Sequence, residues 1–152
     1  MIIRYAAVVI LLTGQLNAAD PQAEIQARKV MNEYIAAFNS HNIRAQTATL
    51  NYPHVRLASN QVRVYTTADE YFRDNTDPEK RAAPGLPLER NWDHSRWKSM
   101  KVIQSGPDKV HFAVVFARYD ARDKEISRFP SFYVVTLKDG HWGVQARSSF
   151  AP

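Results

Sequence analysis

The chain is predicted to be an α+β domain, with helices packed against one face of a largely antiparallel sheet. Two observations point there. A single strong amphipathic helical stripe lies near the N-terminus, and the stretch from Trp97 to Phe150 reads as consecutive β-strands divided by turn signals. Helices first and a long strand meander last is the order expected of one sheet with its helices gathered on one side.

The first eighteen residues stand apart. Met1 to Arg4 is short and basic, Tyr5 to Leu12 is apolar, and Thr13 to Ala18 is more polar, with small residues at Ala18 and Ala19 suited to cleavage. That apolar run is well short of the ~20 residues that span a bilayer. Residues 1–18 are therefore expected to be a cleaved signal peptide and not a stable membrane anchor. Residues 19–152 then form a single domain, secreted or periplasmic.

Asp20-Pro21 opens the first helix, since Asp caps exposed backbone N–H groups and Pro is tolerated in the first turn. Ala27, Val30, Met31, Tyr34, Ile35 and Phe38 recur at helical spacing and end at Asn39-Ser40-His41-Asn42. Ile43 to Leu50 forms a shorter helix capped by Asn42, and Pro53 closes that region. His54 to Tyr65 alternates as a hairpin with its turn at Ser59-Asn60. Thr67-Ala68-Asp69-Glu70 is a capping box for a short helix through Tyr71 and Phe72. Asn75 to Asn91, with Pro78, Pro84, Gly85 and Pro87, reads as a long loop. Strands follow from Trp97, with turns at Ser105-Gly106-Pro107-Asp108, at Asp120 to Lys124, and at Asp139-Gly140.

Composition narrows the chemistry. The 152 residues contain no cysteine, which excludes disulfides, thiolate metal sites and thiol catalysis. The formal charge of +5 falls to +4 without the leader, because Arg4 is the only charged residue in it. The remaining cations are scattered along the chain, with Arg56, Arg63, Lys98 and Lys101 forming at most a solvated stripe. No nucleic-acid partner is expected. His54, His94, His111 and His141 fall in different segments without metal-ligand spacing, so neither metal nor cofactor is predicted. Asp93 and His94 are sequence neighbours, and on a strand they would point to opposite faces.

The string Glu33-Tyr34-Ile35-Ala36-Ala37-Phe38-Asn39-Ser40-His41-Asn42 resembles the first helix and turn of nuclear transport factor 2-like proteins, a superfamily that includes SnoaL-like proteins and ketosteroid isomerases. Val134-Val135-Thr136-Leu137-Lys138-Asp139-Gly140-His141-Trp142-Gly143-Val144 is similar to its last hairpin. The resemblance covers the whole mature chain. It implies a cone-shaped curved sheet wrapped around N-terminal helices, with an internal pocket, and leaves activity open because this fold hosts many functions.

The isomerase branch uses a helix-1 tyrosine and two acids. Tyr34 matches the tyrosine, but Ala58 stands where the base is expected, and Ser131 and Tyr133 where the second acid is. The expected function is thus binding of a small, partly apolar molecule. Tyr34, His54, Trp92 and either Tyr133 or Arg147 are the expected pocket residues. His54 is the acid/base candidate, and a carboxylate entering from elsewhere, such as Asp69 or Asp93, would favour the alternative of an isomerase, dehydratase or hydrolase. On the last strand Trp142, Val144, Ala146 and Ser148 are read as one face and Gln145 and Arg147 as the other. A third alternative is a homodimer formed through the exposed sheet face.

Overall fold

The computed structural model describes residues 20–58, 61–77 and 91–151. The leader, the Ser59-Asn60 turn and most of the loop expected before Asn91 lie outside the described residues. Helix α1 spans Pro21–Asn39, α2 Ile43–Ala48 and α3 Ala68–Thr76. The strands are β1 (Leu50–Ala58), β2 (Gln61–Tyr65), β3 (His94–Gly106), β4 (Lys109–Tyr119), β5 (Glu125–Lys138) and β6 (His141–Ser149). They form one sheet in the order β2-β1-β6-β5-β4-β3, antiparallel throughout except where β1 runs parallel to β6. This is the predicted α+β class, a curved, unclosed sheet with its helices on the inner face.

Local chemistry sets the boundaries. Asp20 Oδ1 accepts hydrogen bonds from Gln22 N and Ala23 N at 3.0 and 3.1 Å, capping α1 as expected. Asn42 caps α2 through Ala45 N at 2.9 Å. At α3 the Thr67 hydroxyl accepts from Glu70 N, while the Glu70 carboxylate accepts from Thr66 N and Oγ1. Asp139 and Gly140, with φ of 52° and 78°, form the tight β5–β6 turn that the Asp-Gly pair predicts.

One boundary differs from the sequence expectation. Helix α2 stops at Ala48, so Leu50, expected as its last residue, instead opens β1, and Pro53 sits inside that strand rather than before it. The strand accommodates it because β1 and β6 fall out of register between Leu50 and Val55, so no ladder bond is required of Pro53 there.

Helix α1 is clamped along β3 at both ends. Near its start, Ser105 Oγ donates to Glu24 Oε1 at 2.8 Å and accepts from Asp20 N. Near its end, Asn39 exchanges two 2.9 Å bonds with the backbone of Ser95. Between the clamps Ala27, Val30, Met31 and Tyr34 are buried against Val110, Phe112, Val114, Tyr133, Val135 and Val144 of the sheet. Ile35 and Phe38, from the same stripe, are only half-buried. The stripe thus has a packed N-terminal part and a C-terminal part that borders a cavity.

β1 joins β6 by close backbone approach at Gly143, where a Cβ atom would lie 2.8 Å from the Leu50 carbonyl carbon. Asn51 reinforces this seam: its amide nitrogen donates to Thr136 O and Oγ1, and its oxygen accepts from His141 Nδ1 at 2.9 Å. His141 is therefore a structural donor with its Nδ1 tautomer set by Asn51.

Candidate ligand cavity

Between α1, α3 and the inner sheet face lies a cavity of about 640 Å³, within the roughly 300–1,000 Å³ range of small-molecule sites. Its apolar wall is built from Ile35, Phe38, Trp92, Trp97 and Phe116. Its polar floor carries Tyr34, Arg56, Tyr133 and Arg147.

Tyr34 reaches this floor because α1 is held at both ends along the sheet. Its side chain is 3% exposed, and its hydroxyl has no hydrogen-bond partner among the described residues. Tyr133 meets it edge-on at 5.9 Å between centroids, and the Arg147 guanidinium carbon lies 5.8 Å from its ring centre. Burial raises the Tyr133 pKa above the ordinary tyrosine range, so its phenol is a proton-bearing donor at neutral pH. Burial also disfavours charge on Arg147, but the oxygens of Tyr34, Tyr133 and Tyr71 outweigh this and hold its pKa above the usual arginine value.

Arg147 enters the cavity through a β-bulge. Val135 pairs with Val144, but Val134 pairs with Ala146, which leaves Gln145 as an extra residue in β6. Val144 and Arg147 consequently share the inner face, correcting the strict alternation expected from sequence. Gln145 is held outside the ladder by Thr136 Oγ1 and by the Pro53 carbonyl.

The sequence places Arg56 on a strand, where a solvated stripe is expected. It instead points inward, as the register partner of Arg147 on the parallel neighbour. Burial, then the charge of Arg147, pushes its pKa down to about 10. The available signal was its pleat face, which it shares with His54 and Ala58.

Trp92 takes its place on the rim, 5.2 Å from the Phe38 ring and 5.0 Å from that of His41, with Nε1 donating to Ser95 Oγ at 3.0 Å. Of the expected pocket residues, the fold therefore gathers Tyr34, Trp92, Tyr133 and Arg147 around one cavity.

His54 is not among the lining residues. It is 1% exposed, donates Nδ1–H to the Val144 carbonyl at 3.0 Å, and packs against Tyr65 and Tyr71. Burial, then the charge of Arg147, pushes its pKa down to about 4, which keeps the ring neutral.

The carboxylates also differ from expectation. Neither Asp69 nor Asp93 lines the cavity; Asp74, on α3, does. Asp93 contacts His94 after all, with Oδ2 2.8 Å from Nδ1. It precedes β3, so pleat alternation does not govern the pair. The opposite ring nitrogen lies 3.1 Å from Asp123, which also binds Arg96, in a cluster outside the cavity. Among the described residues no group of three or more His, Asp or Glu side chains is arranged to hold a metal ion.

The chain matches the family described as NTF2-like protein (DUF6841) over residues 23–149. No match was found among curated proteins. Solved structures share the fold at low identity. An NTF2-like protein of unknown function from Pseudomonas putida is 13% identical with a TM-score of 0.67, covering 89% of this chain and 90% of its own. A protein of unknown function with a cystatin-like fold from Nostoc punctiforme is 8% identical with a TM-score of 0.67, covering 88% and 94%. A ketosteroid isomerase-like protein from Erwinia carotovora is 14% identical with a TM-score of 0.60, covering 86% and 97%. With the fold and the family match over residues 23–149 in agreement, the chain belongs to the NTF2-like family DUF6841.

Proposed function

We propose that this protein is an exported small-molecule-binding protein, holding a partly apolar ligand in the cavity above Tyr34. The carrying observation is that hydroxyl: buried, without a hydrogen-bond partner among the described residues, and facing a ligand-sized space. A buried polar group left unpaired costs roughly 1–3 kcal/mol, and a ligand oxygen offsets that cost. Donors on the floor fix the oxygen while the aromatic wall covers the skeleton.

The reading is tested with a panel of flat apolar compounds, neutral and charged. Trp92 and Trp97 line the cavity, so ligands should perturb tryptophan fluorescence and raise the melting temperature. If no compound in the panel does either, the reading fails. Export is tested by mass spectrometry of protein from its native host, with an N-terminus at Ala19 or Asp20 as the expected result and an intact Met1 as the opposing one.

Asp74 favours a second reading, an isomerase, dehydratase or hydrolase, since it brings a carboxylate to the cavity wall. Proton abstraction from carbon requires a base within hydrogen-bond reach of the substrate. Turnover of a bound compound, abolished by Asp74→Asn with binding retained, would support that reading.

The outer sheet face favours self-association. Val62 and Val64 are 68% and 50% exposed, and with Leu57 and Phe132 they form an apolar band. We propose a homodimer through this face. Light scattering should then give twice the chain mass, reverting to one on Val62→Glu; a wild-type monomer at high micromolar concentration removes the idea.

A further inference from the structure

We infer that the cavity selects an anion, an amphipathic carboxylate whose head group is held by Arg56 and Arg147 while its flat skeleton lies on Phe38, Trp92, Trp97 and Phe116. This rests on the ligand-binding reading above and names the class of ligand.

The first ground is topology. Arg56 and Arg147 are direct register partners on the parallel strands β1 and β6, and both side chains line the same cavity. Parallel neighbours on one face place their side chains next to each other. Two guanidinium groups so placed repel, and neither has an ion-pair partner among the described residues. Like charges gathered on a half-buried cavity wall are normally compensated by a counter-charge. A bound carboxylate supplies one, and guanidinium groups match its planar pair of oxygens.

The second ground is the kind of polar group left unpaired. Arg56 Nε and Trp97 Nε1 are buried and make no hydrogen bond among the described residues. Both are donors and neither can accept. Tyr34 adds a third unpaired group, whose hydroxyl can donate. A floor that offers donors calls for a ligand rich in acceptor oxygens.

The third ground is the charge balance of the wall. Arg63 and Arg118 also line the cavity, against Asp74 as the only carboxylate among the described lining residues. Arg63 binds Gln61 Oε1, and Arg118 and Asp74 have partners of their own. The described lining is cationic, and low-dielectric walls focus that potential on an entering anion. Arg56 and Arg147 are the two cations positioned to receive it.

The test compares naphthalene-2-carboxylate with its neutral isostere naphthalene-2-carboxamide by calorimetric titration of the purified protein at pH 7 and low salt. The carboxylate should bind at least about tenfold more tightly, and that preference should shrink towards unity in Arg56→Gln and Arg147→Gln. Should either variant fail to fold, the wild-type ratio and its decline with added salt decide the matter. Equal affinity, or a preference for the carboxamide, overturns the anion assignment and leaves the ligand-binding reading standing. Binding of neither molecule overturns the anion assignment, and the ligand-binding reading falls with it when the wider panel also gives no response.

Discussion

Val144 and Arg147, three residues apart on one strand, face the same side of the sheet. Val144 is buried in the core and Arg147 stands over the Tyr34 ring. One extra residue, Gln145, accounts for this. Deleting Gln145 should restore plain alternation and turn either Arg147 out or the strand's inner residues away from the core. The expected outcome is a protein that unfolds at lower temperature and no longer binds cavity ligands, measured by thermal melt and titration. A deletion variant with wild-type stability and binding would show that the bulge does not position Arg147.

Tyr34→Phe should separate stability from binding. The hydroxyl has no partner among the described residues, so its removal should change stability by no more than about 1 kcal/mol, towards greater stability if at all. Affinity for an oxygen-bearing cavity ligand should fall about tenfold, the value of one good hydrogen bond. A large loss of stability with unchanged affinity would mark Tyr34 as a core residue alone.

Within the helix-1 stripe, position along the helix should decide the cost of truncation. Met31 is fully buried, and Met31→Ala should cost about 2–5 kcal/mol. Phe38 is half-buried on the cavity rim beside Trp92. Phe38→Ala should therefore fall below the about 3–5 kcal/mol of a fully buried ring and weaken ligand binding as well. Chemical denaturation of the two variants measures the contrast.

His54 should make the protein acid-sensitive. Its folded-state pKa is held down to about 4, against 6.5 when unperturbed. Above pH 6.5 neither folded nor unfolded protein carries the proton, and the full stability is present. As pH falls from 6.5 towards 4 the unfolded chain binds a proton that the folded one does not, so stability drops. The loss totals roughly 3 kcal/mol and levels off below the folded pKa. His54→Gln cannot titrate and should flatten this part of the pH profile, measured as unfolding free energy across the range.

Gly143→Ala should open the β1–β6 seam. The added carbon would meet the backbone of Leu50 and Asn51 at 2.8 and 2.9 Å, atoms that cannot yield without moving a strand. A cost of about 1–3 kcal/mol or more is expected. Gly106→Ala, where the new carbon meets nothing within 4 Å, is the control and should be nearly neutral.

Much of the fold was legible because its signals are local. Asp20 and Asn42 cap the helices they precede, Asp139-Gly140 has the positive-φ turn it specifies, and the residues of β3 to β6 pair as an antiparallel meander. Each depends on backbone geometry over a few residues, which side-chain chemistry nearby controls directly. Tyr34 was legible as well, through its place on the helix-1 stripe and the family likeness of its surroundings.

Which face of each strand looks inward was decided only by tertiary structure. Alternation divides β1 and β2 into two faces, but it does not say which one meets the helices. Here Val55, Leu57, Val62 and Val64 face outward, while His54, Arg56 and Tyr65 turn in. Hydropathy alone favours the opposite choice. On β6 the single inserted residue reverses parity partway along, which no count of alternating residues reveals. The pairing of Arg56 with Arg147 depends on both decisions and on a parallel contact between strands about 90 residues apart in the chain. That separation is why the sequence by itself determined the scaffold, whereas long-range register determined the chemistry of its cavity.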